Sequence, residues 1–220
     1  MHSEFWLNVW ENGNLNFHNS KTNPFLMKFW PKLGLKQSDS AFVPLCGKTL
    51  DMVWLAEQGH QVIGVELSRL AAEAFFDENN IEADISEAGA FTSWRAEGID
   101  LLVGDFFNLT AEHLHDVRGI FDRAAMVALP EAVRNDYAQH LANVLPAGAK
   151  ILLISFEYDQ AKMSGPPYSV PYSEIKRIFE SRFTVEKLDQ RDLIEKAPGM
   201  QRSGLTSFEQ HIYLLSKLDD

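Results

Sequence analysis

Residues 42–52 read FVPLCGKTLDM, and the turn inside this stretch decides the fold. An apolar run ends at Gly47-Lys48-Thr49, which looks like the close of a phosphate-cradling loop. That loop is G-x-x-x-x-G-K-[ST], and its first glycine lets the backbone curl round the phosphates. Here the first position is Phe42, inside the apolar run, and Pro44 has no N–H to give to a nest of amide donors. The dinucleotide fingerprint G-x-G-x-x-G fails as well, because Gly47 is the only glycine between residues 35 and 58. What remains is the first strand-to-helix turn of an α/β sheet. Such sheets bind ligands at the carboxyl ends of their strands, and this one has no seat for a phosphate.

Outward from the turn the pattern alternates between short apolar runs and amphipathic stretches. Strands are predicted at 41–45, 61–66, 98–105, within 117–125, and at 149–158. Helices are predicted at 49–57, at 68–79 with Ser68 as cap, at 131–145 after Pro130, and at 172–181. Continuous apolar strands separated by helices describe a doubly wound, mostly parallel sheet covered on both faces. Two closing runs, at 183–190 and 208–217, predict an antiparallel pair at one edge with no helix between them. Ahead of the sheet, residues 3–33 carry two aromatic-rich helical patterns, one starting at Ser3 and one at Pro24 that stops near Gly34. The expected organisation is a single domain: an α/β core over 41–220 and a helical segment over 1–34 that folds over the ligand as a lid.

Composition narrows the function. The chain has 220 residues, 45% apolar and 23% charged, with a formal charge of −11. Nucleic acid is bound by clustered Lys and Arg that displace counterions, and no basic run exists here. No window approaches the ~20 consecutive apolar residues of a membrane span. The start of the chain has acidic Glu4 and Glu11 in place of a signal peptide's apolar segment, so a cytoplasmic protein is expected. Cys46 is the single cysteine, which rules out an internal disulfide. None of the seven histidines sits in an i, i+4 pair or an H-E-x-x-H frame, and no metal is expected.

The ligand is then read from the strand tips. Glu66 ends the second strand, nineteen positions past Gly47, where an acidic residue can accept both hydroxyls of a ribose. Asp105 and Phe106 end the third strand, where an adenine would lie if Glu66 held its sugar; the alternative is a core phenylalanine behind a capping aspartate. A nucleoside site without phosphate-holding parts fits S-adenosyl-L-methionine. An NAD-linked oxidoreductase would share the Glu66 contact but lacks its glycines, and a non-catalytic binding module would share everything except turnover.

Quoted in full, the segments FWLNVWENGNLNFH (5–18), FVPLCGKTLDMVWLAEQGHQVIGVELS (42–68), FDRAAMVAL (121–129), GPPYSVPYSEIKRIF (165–179) and the terminal FEQHIYLL resemble the thiopurine S-methyltransferase family. The resemblance implies a class I methyltransferase with a seven-stranded sheet whose last strand is antiparallel. It implies that Trp10, Leu45, Glu66 and Arg123 contact S-adenosyl-L-methionine, with Asp105 and Phe106 at the adenine. Phe17, Pro166, Pro167 and Arg123 fall where relatives line the acceptor pocket. The acceptor implied is a small aromatic or heterocyclic thiol, or a selenium or tellurium oxyanion, and the protein implied is a monomer. Relatives from eukaryotes carry a second acceptor-site arginine upstream of the terminal strand; the segment EKAPGMQRSG departs from that pattern and offers Arg202 as a weak counterpart. No catalytic base is assigned, since an aromatic thiol ionises near neutral pH. Trp10 would cover the sulfonium, and Cys46, with no basic partner nearby, reads as a small buried thiol.

Overall fold

The computed structural model describes residues 3–13, 15 and 18–219. In chain order its elements are α1 (Ser3–Glu11), α2 (Pro24–Phe29), β1 (Ser40–Val43), α3 (Asp51–Glu57), β2 (Val62–Glu66), α4 (Arg69–Glu78), β3 (Asp84–Ala88), β4 (Phe91–Ala96), β5 (Ile99–Val103), β6 (Val117–Arg123), α5 (Glu131–Val144), β7 (Lys150–Glu157), α6 (Tyr172–Phe179), β8 (Phe183–Asp192), α7 (Pro198–Arg202) and β9 (Glu209–Lys217). One sheet runs β3-β4-β5-β2-β1-β6-β7-β9-β8. Strands β5, β2, β1, β6 and β7 pair in parallel, while β9 runs antiparallel between β7 and β8.

The sheet therefore has nine strands rather than the expected seven. The two extra strands, β3 and β4, form a hairpin antiparallel to β5. β3 reads DISEA and is almost wholly exposed, so no apolar alternation marks it. A second correction concerns the end of the chain. The short helix α7 lies between β8 and β9, and β9 inserts beside β7, leaving β8 at the edge.

Local chemistry explains the helices. Asn23 caps α2 by accepting from the Phe25 N–H at 2.9 Å, with Pro24 in the first turn where its missing N–H costs nothing. Ser68 caps α4 by accepting from the Ala71 N–H, and α4 buries Ala71, Ala72, Phe75 and Phe76 on one face. Gly64 of β2 keeps this packing close, because a Cβ there would stand 2.8 Å from the Met52 sulfur. The two faces of the sheet hold separate cores. Phe42, Ile120, Tyr137, Leu141 and Phe179 fill one; Leu26, Met52, Leu55, Phe75 and Phe121 fill the other. Each such side chain contributes about 1.5–3 kcal/mol on burial. No helix among the described residues is long and apolar enough to cross a membrane.

The chain winds from β1 through β2 to β5 in one direction, then from β6 to β7 in the other. The reversal places a crevice at the carboxyl ends of β1, β2 and β6, the position at which open α/β sheets hold their ligands.

Candidate cofactor site at the carboxyl rim of the sheet

Backbone strain gathers at this crevice. Leu45 after β1 has φ 46° and Ala124 after β6 has φ 62°, and β1 and β6 are neighbours in the sheet. Left-handed non-glycine residues cost on the order of 1–3 kcal/mol and concentrate at functional sites. Gly47, with φ 54°, completes the turn. A Cβ on Gly47 would lie 3.2 Å from the Trp10 ring, so glycine serves both the conformation and the close approach. Trp10 is buried and brings α1 onto the turn. Lys48, the residue that suggested a phosphate loop, pairs with Glu78 of α4.

Glu66 is no solvated strand end, being 6% exposed. One carboxylate oxygen accepts from the Gly47 N–H at 2.8 Å and the other from the Ser68 N–H at 2.8 Å. Burial raises its carboxyl above the usual range, and the amides hold it back toward the ionised form. Each oxygen keeps a second lone pair, so the side chain has capacity for a vicinal diol after tying the turn to the start of α4.

Arg123 ends β6, half-buried beside this turn. Burial lowers its pKa, and the Asp51 carboxylate opposes that shift. Asp51 is itself buried and accepts from the Asn23 N–H and from the Thr49 hydroxyl, each at 2.7 Å. Asp51 and Asn23 thus fasten the entry to α2 onto the turn. The helix-start pattern N-P in residues 23–24 was the available signal for this link. His18 lies in the same field: burial lowers its pKa, Lys48 and Arg123 push the same way, and Glu78 opposes them.

The other predicted residues separate. Asp105 caps a short 3₁₀ turn by accepting from the Phe107 N–H at 3.0 Å. Phe106 is 1% exposed, with its ring 4.8 Å from that of Tyr137. Its ring is spent on the core, so any contact of Phe106 with a base runs through its backbone. Pro166 and Pro167 sit half-buried in a loop held by the Tyr158 hydroxyl, which donates to the Pro167 carbonyl at 2.6 Å. Arg202 is exposed on α7, and Phe17 lies outside the described residues. Cys46 is buried, and burial pushes its thiol well above the usual range, with Glu66 adding to the shift. Glu157, Glu209 and His211 are the one group among the described residues with metal-ligand spacing. The imidazole is already engaged, at 2.9 Å from Glu209 and 2.8 Å from the Tyr213 hydroxyl.

Asp122, one residue before Arg123, was missed by sequence reasoning because it lies within a strand. It is 1% exposed on the opposite face, where it accepts from the Tyr137 hydroxyl at 2.8 Å and the Met126 N–H at 3.1 Å. Burial raises its carboxyl from 3.8 to about 6, against both hydrogen bonds. The folded state therefore keeps a proton that the unfolded chain loses. This term is fully stabilising below pH ~4 and is lost as pH rises through about 6. Asp122→Asn removes the dependence, so its stability relative to wild type should rise between pH 4 and 6 by on the order of 3 kcal/mol and then level off. Urea denaturation of both proteins at pH 4, 5, 6 and 7 reads this; a constant difference contradicts it.

Comparison with known proteins identifies the family. The family model described as Thiopurine S-methyltransferase matches residues 1–218. A protein of that name from Bordetella petrii is 47% identical over 217 residues, covering 99% of both chains. One from Nitrosospira multiformis is 43% identical over 215 residues, covering 98% of both. Among solved structures, a SAM-dependent methyltransferase from Anabaena variabilis superposes with a TM-score of 0.68 at 15% identity, over 98% of this chain and 94% of that one. The Burkholderia thailandensis 1,6-didemethyltoxoflavin-N1-methyltransferase, solved with bound 1,6-didemethyltoxoflavin and S-adenosylhomocysteine, gives 0.64 at 15% identity, over 99% and 87%. These last two likenesses establish the fold, and the family match does more: this chain belongs to the thiopurine S-methyltransferase family.

Proposed function

We propose that this protein binds S-adenosyl-L-methionine at the rim of β1, β2 and β6 and methylates the sulfur of a small aromatic or heterocyclic thiol. The observation that carries the cofactor half is the clamped carboxylate of Glu66 at the tip of β2, beside a strained turn that has no phosphate seat. The residues present fit the group: Glu66 has lone pairs left for a ribose diol, and Leu45 and Gly47 bring backbone close. When bound, the cofactor would supply a sulfonium methyl to the acceptor sulfur, its own sulfur keeping the bonding pair as a neutral thioether and the thiol proton passing to solvent.

The chain's own part is positioning. Arg123, held beside Asp51, orients an anionic group, either the cofactor's carboxylate or an ionised acceptor. Trp10 places its ring against the turn, and a cation over the face of such a ring gains about 0.5–2 kcal/mol. The loop at Gly165-Pro166-Pro167 bounds the acceptor side. Orientation of this kind supplies up to about 7–11 kcal/mol of barrier reduction without a dedicated base. Incubation with methyl-labelled cofactor and a panel of aromatic thiols tests the reading; cofactor binding with no labelled thioether from any thiol defeats its sulfur half.

In this reading the N-terminal segment ahead of the sheet, over 1–34, serves as a lid over the cofactor. Trp10 on Gly47 and Asn23 on Asp51 attach it to the turn. Limited proteolysis should cut before residue 20 several-fold more slowly when S-adenosyl-L-methionine is present. Equal rates with and without it count against a lid.

A further inference from the structure

Gln210 of β9 is 9% exposed, and its side-chain oxygen is enclosed without a hydrogen-bond partner. Buried carbonyls left without a donor are costly and uncommon in native proteins. Across β7 Gln210 stands opposite Phe156, and across β8 opposite Arg191. Arg191 does not serve it: that guanidinium holds Asp189 at 2.9 Å and covers the Phe25 ring at 4.9 Å.

The surroundings are aromatic and lie toward the candidate site. Phe208, two residues before Gln210, emerges on the same face and stacks on Phe156 at 4.8 Å, with Tyr158 5.6 Å from Phe208. Tyr158 is the residue whose hydroxyl fastens Pro167. Arg123 pairs with Ile154, Ile154 pairs with Ile212, and Ile212 is two residues from Gln210, so Arg123 and Gln210 share one face. Strand spacing and rise place their Cα atoms roughly 12 Å apart along the rim, a span that a bicyclic ring and its substituents fill.

We propose that Gln210 is a specificity-determining residue for the acceptor, its amide oxygen accepting an N–H from a flat heterocyclic thiol seated by Phe156, Phe208 and Tyr158. The inference rests on the sulfur-acceptor reading above and narrows it to rings that carry a donor. A site built to receive an N–H discriminates strongly against analogues without one, because the buried oxygen is then left orphaned.

The test uses Gln210→Met, which keeps the side chain's length and removes the oxygen. Two thiols are compared: 6-mercaptopurine, with ring N–H groups, and benzenethiol, with none. The ratio of kcat/KM for mercaptopurine over benzenethiol should fall at least tenfold in the variant, through KM. The unliganded variant should melt at or above the wild-type temperature, because an oxygen without a partner holds nothing together. An unchanged ratio overturns the proposal, as does a variant that melts well below wild type or does not fold. Calorimetry of mercaptopurine binding to S-adenosylhomocysteine-loaded protein separates the two readings. If wild type methylates neither thiol, the sulfur reading fails. Tenfold weaker mercaptopurine binding by the variant then still supports Gln210, and equal binding overturns it.

Discussion

Replacing Glu66 with alanine is expected to weaken S-adenosyl-L-methionine binding by one to two orders of magnitude and to lower the melting temperature in the same protein. The binding loss follows from removing a charged acceptor of the ribose hydroxyls, where each such hydrogen bond is worth about 1.5–3 kcal/mol. The stability loss follows from what Glu66 already does without ligand: Gly47 and Ser68 each donate an amide N–H to it. Leaving both amides unpaired costs about 1–3 kcal/mol each, or several degrees in a chain of this size. Glu66→Gln keeps the side chain's size and one accepting oxygen, so it should recover most of the stability and less of the affinity. Isothermal calorimetry and thermal denaturation read the two effects separately. A dissociation constant within threefold of wild type in Glu66→Ala removes Glu66 from the site.

The second large effect belongs to Arg134, which holds the loop that carries Pro166 and Pro167. It is 4% exposed, and its guanidinium donates to the Leu129 carbonyl at 3.0 Å, the Ser169 carbonyl at 3.1 Å and the Glu174 carboxylate at 2.8 Å. The other Glu174 oxygen is already enclosed without a partner. Arg134→Met therefore strands a half-buried carboxylate, a change that costs up to about 3–5 kcal/mol and roughly 6–20 °C in melting temperature. Because Ser169 follows Pro166 and Pro167 in the loop, acceptor KM should rise more than the cofactor's dissociation constant. Pairing it with Glu174→Leu removes the stranded charge, so the double variant should be more stable than Arg134→Met alone. Strictly additive losses would show that the ion pair is not what holds the loop.

How much of this was legible depended on whether a residue's task left a local trace. The parallel core was legible because 41–45, 61–66, 98–105 and 149–158 are near-continuous apolar runs, and each overlaps a strand of the central sheet. β3 was not, since a solvent-facing hairpin strand such as DISEA has no buried side to print a period on the sequence. Ser68 as a cap was readable from its place before an amphipathic run, and Asn23 before Pro24 carries the same signal. At the candidate site, Glu66 was singled out by its distance from the turn, but its Gly47 and Ser68 amide partners were not, because backbone donors have no side-chain signature. Phe106 shows the opposite limit: an aromatic residue at a strand tip looks the same whether its ring meets a base or Tyr137. Arg134, Asp122 and Gln210 matter through partners, or the lack of one, supplied by remote strands and loops, and no spacing in the sequence announces that.

The most direct measurement is a crystal structure of the protein with S-adenosylhomocysteine. The ribose should lie against the tip of β2, with both hydroxyls about 2.6–3.0 Å from the Glu66 carboxylate and the homocysteine chain running past the turn at Leu45–Gly47 toward Arg123. A ribose bound elsewhere on the sheet, or a Glu66 that keeps only its Gly47 and Ser68 contacts while the ligand is present, would contradict the assignment.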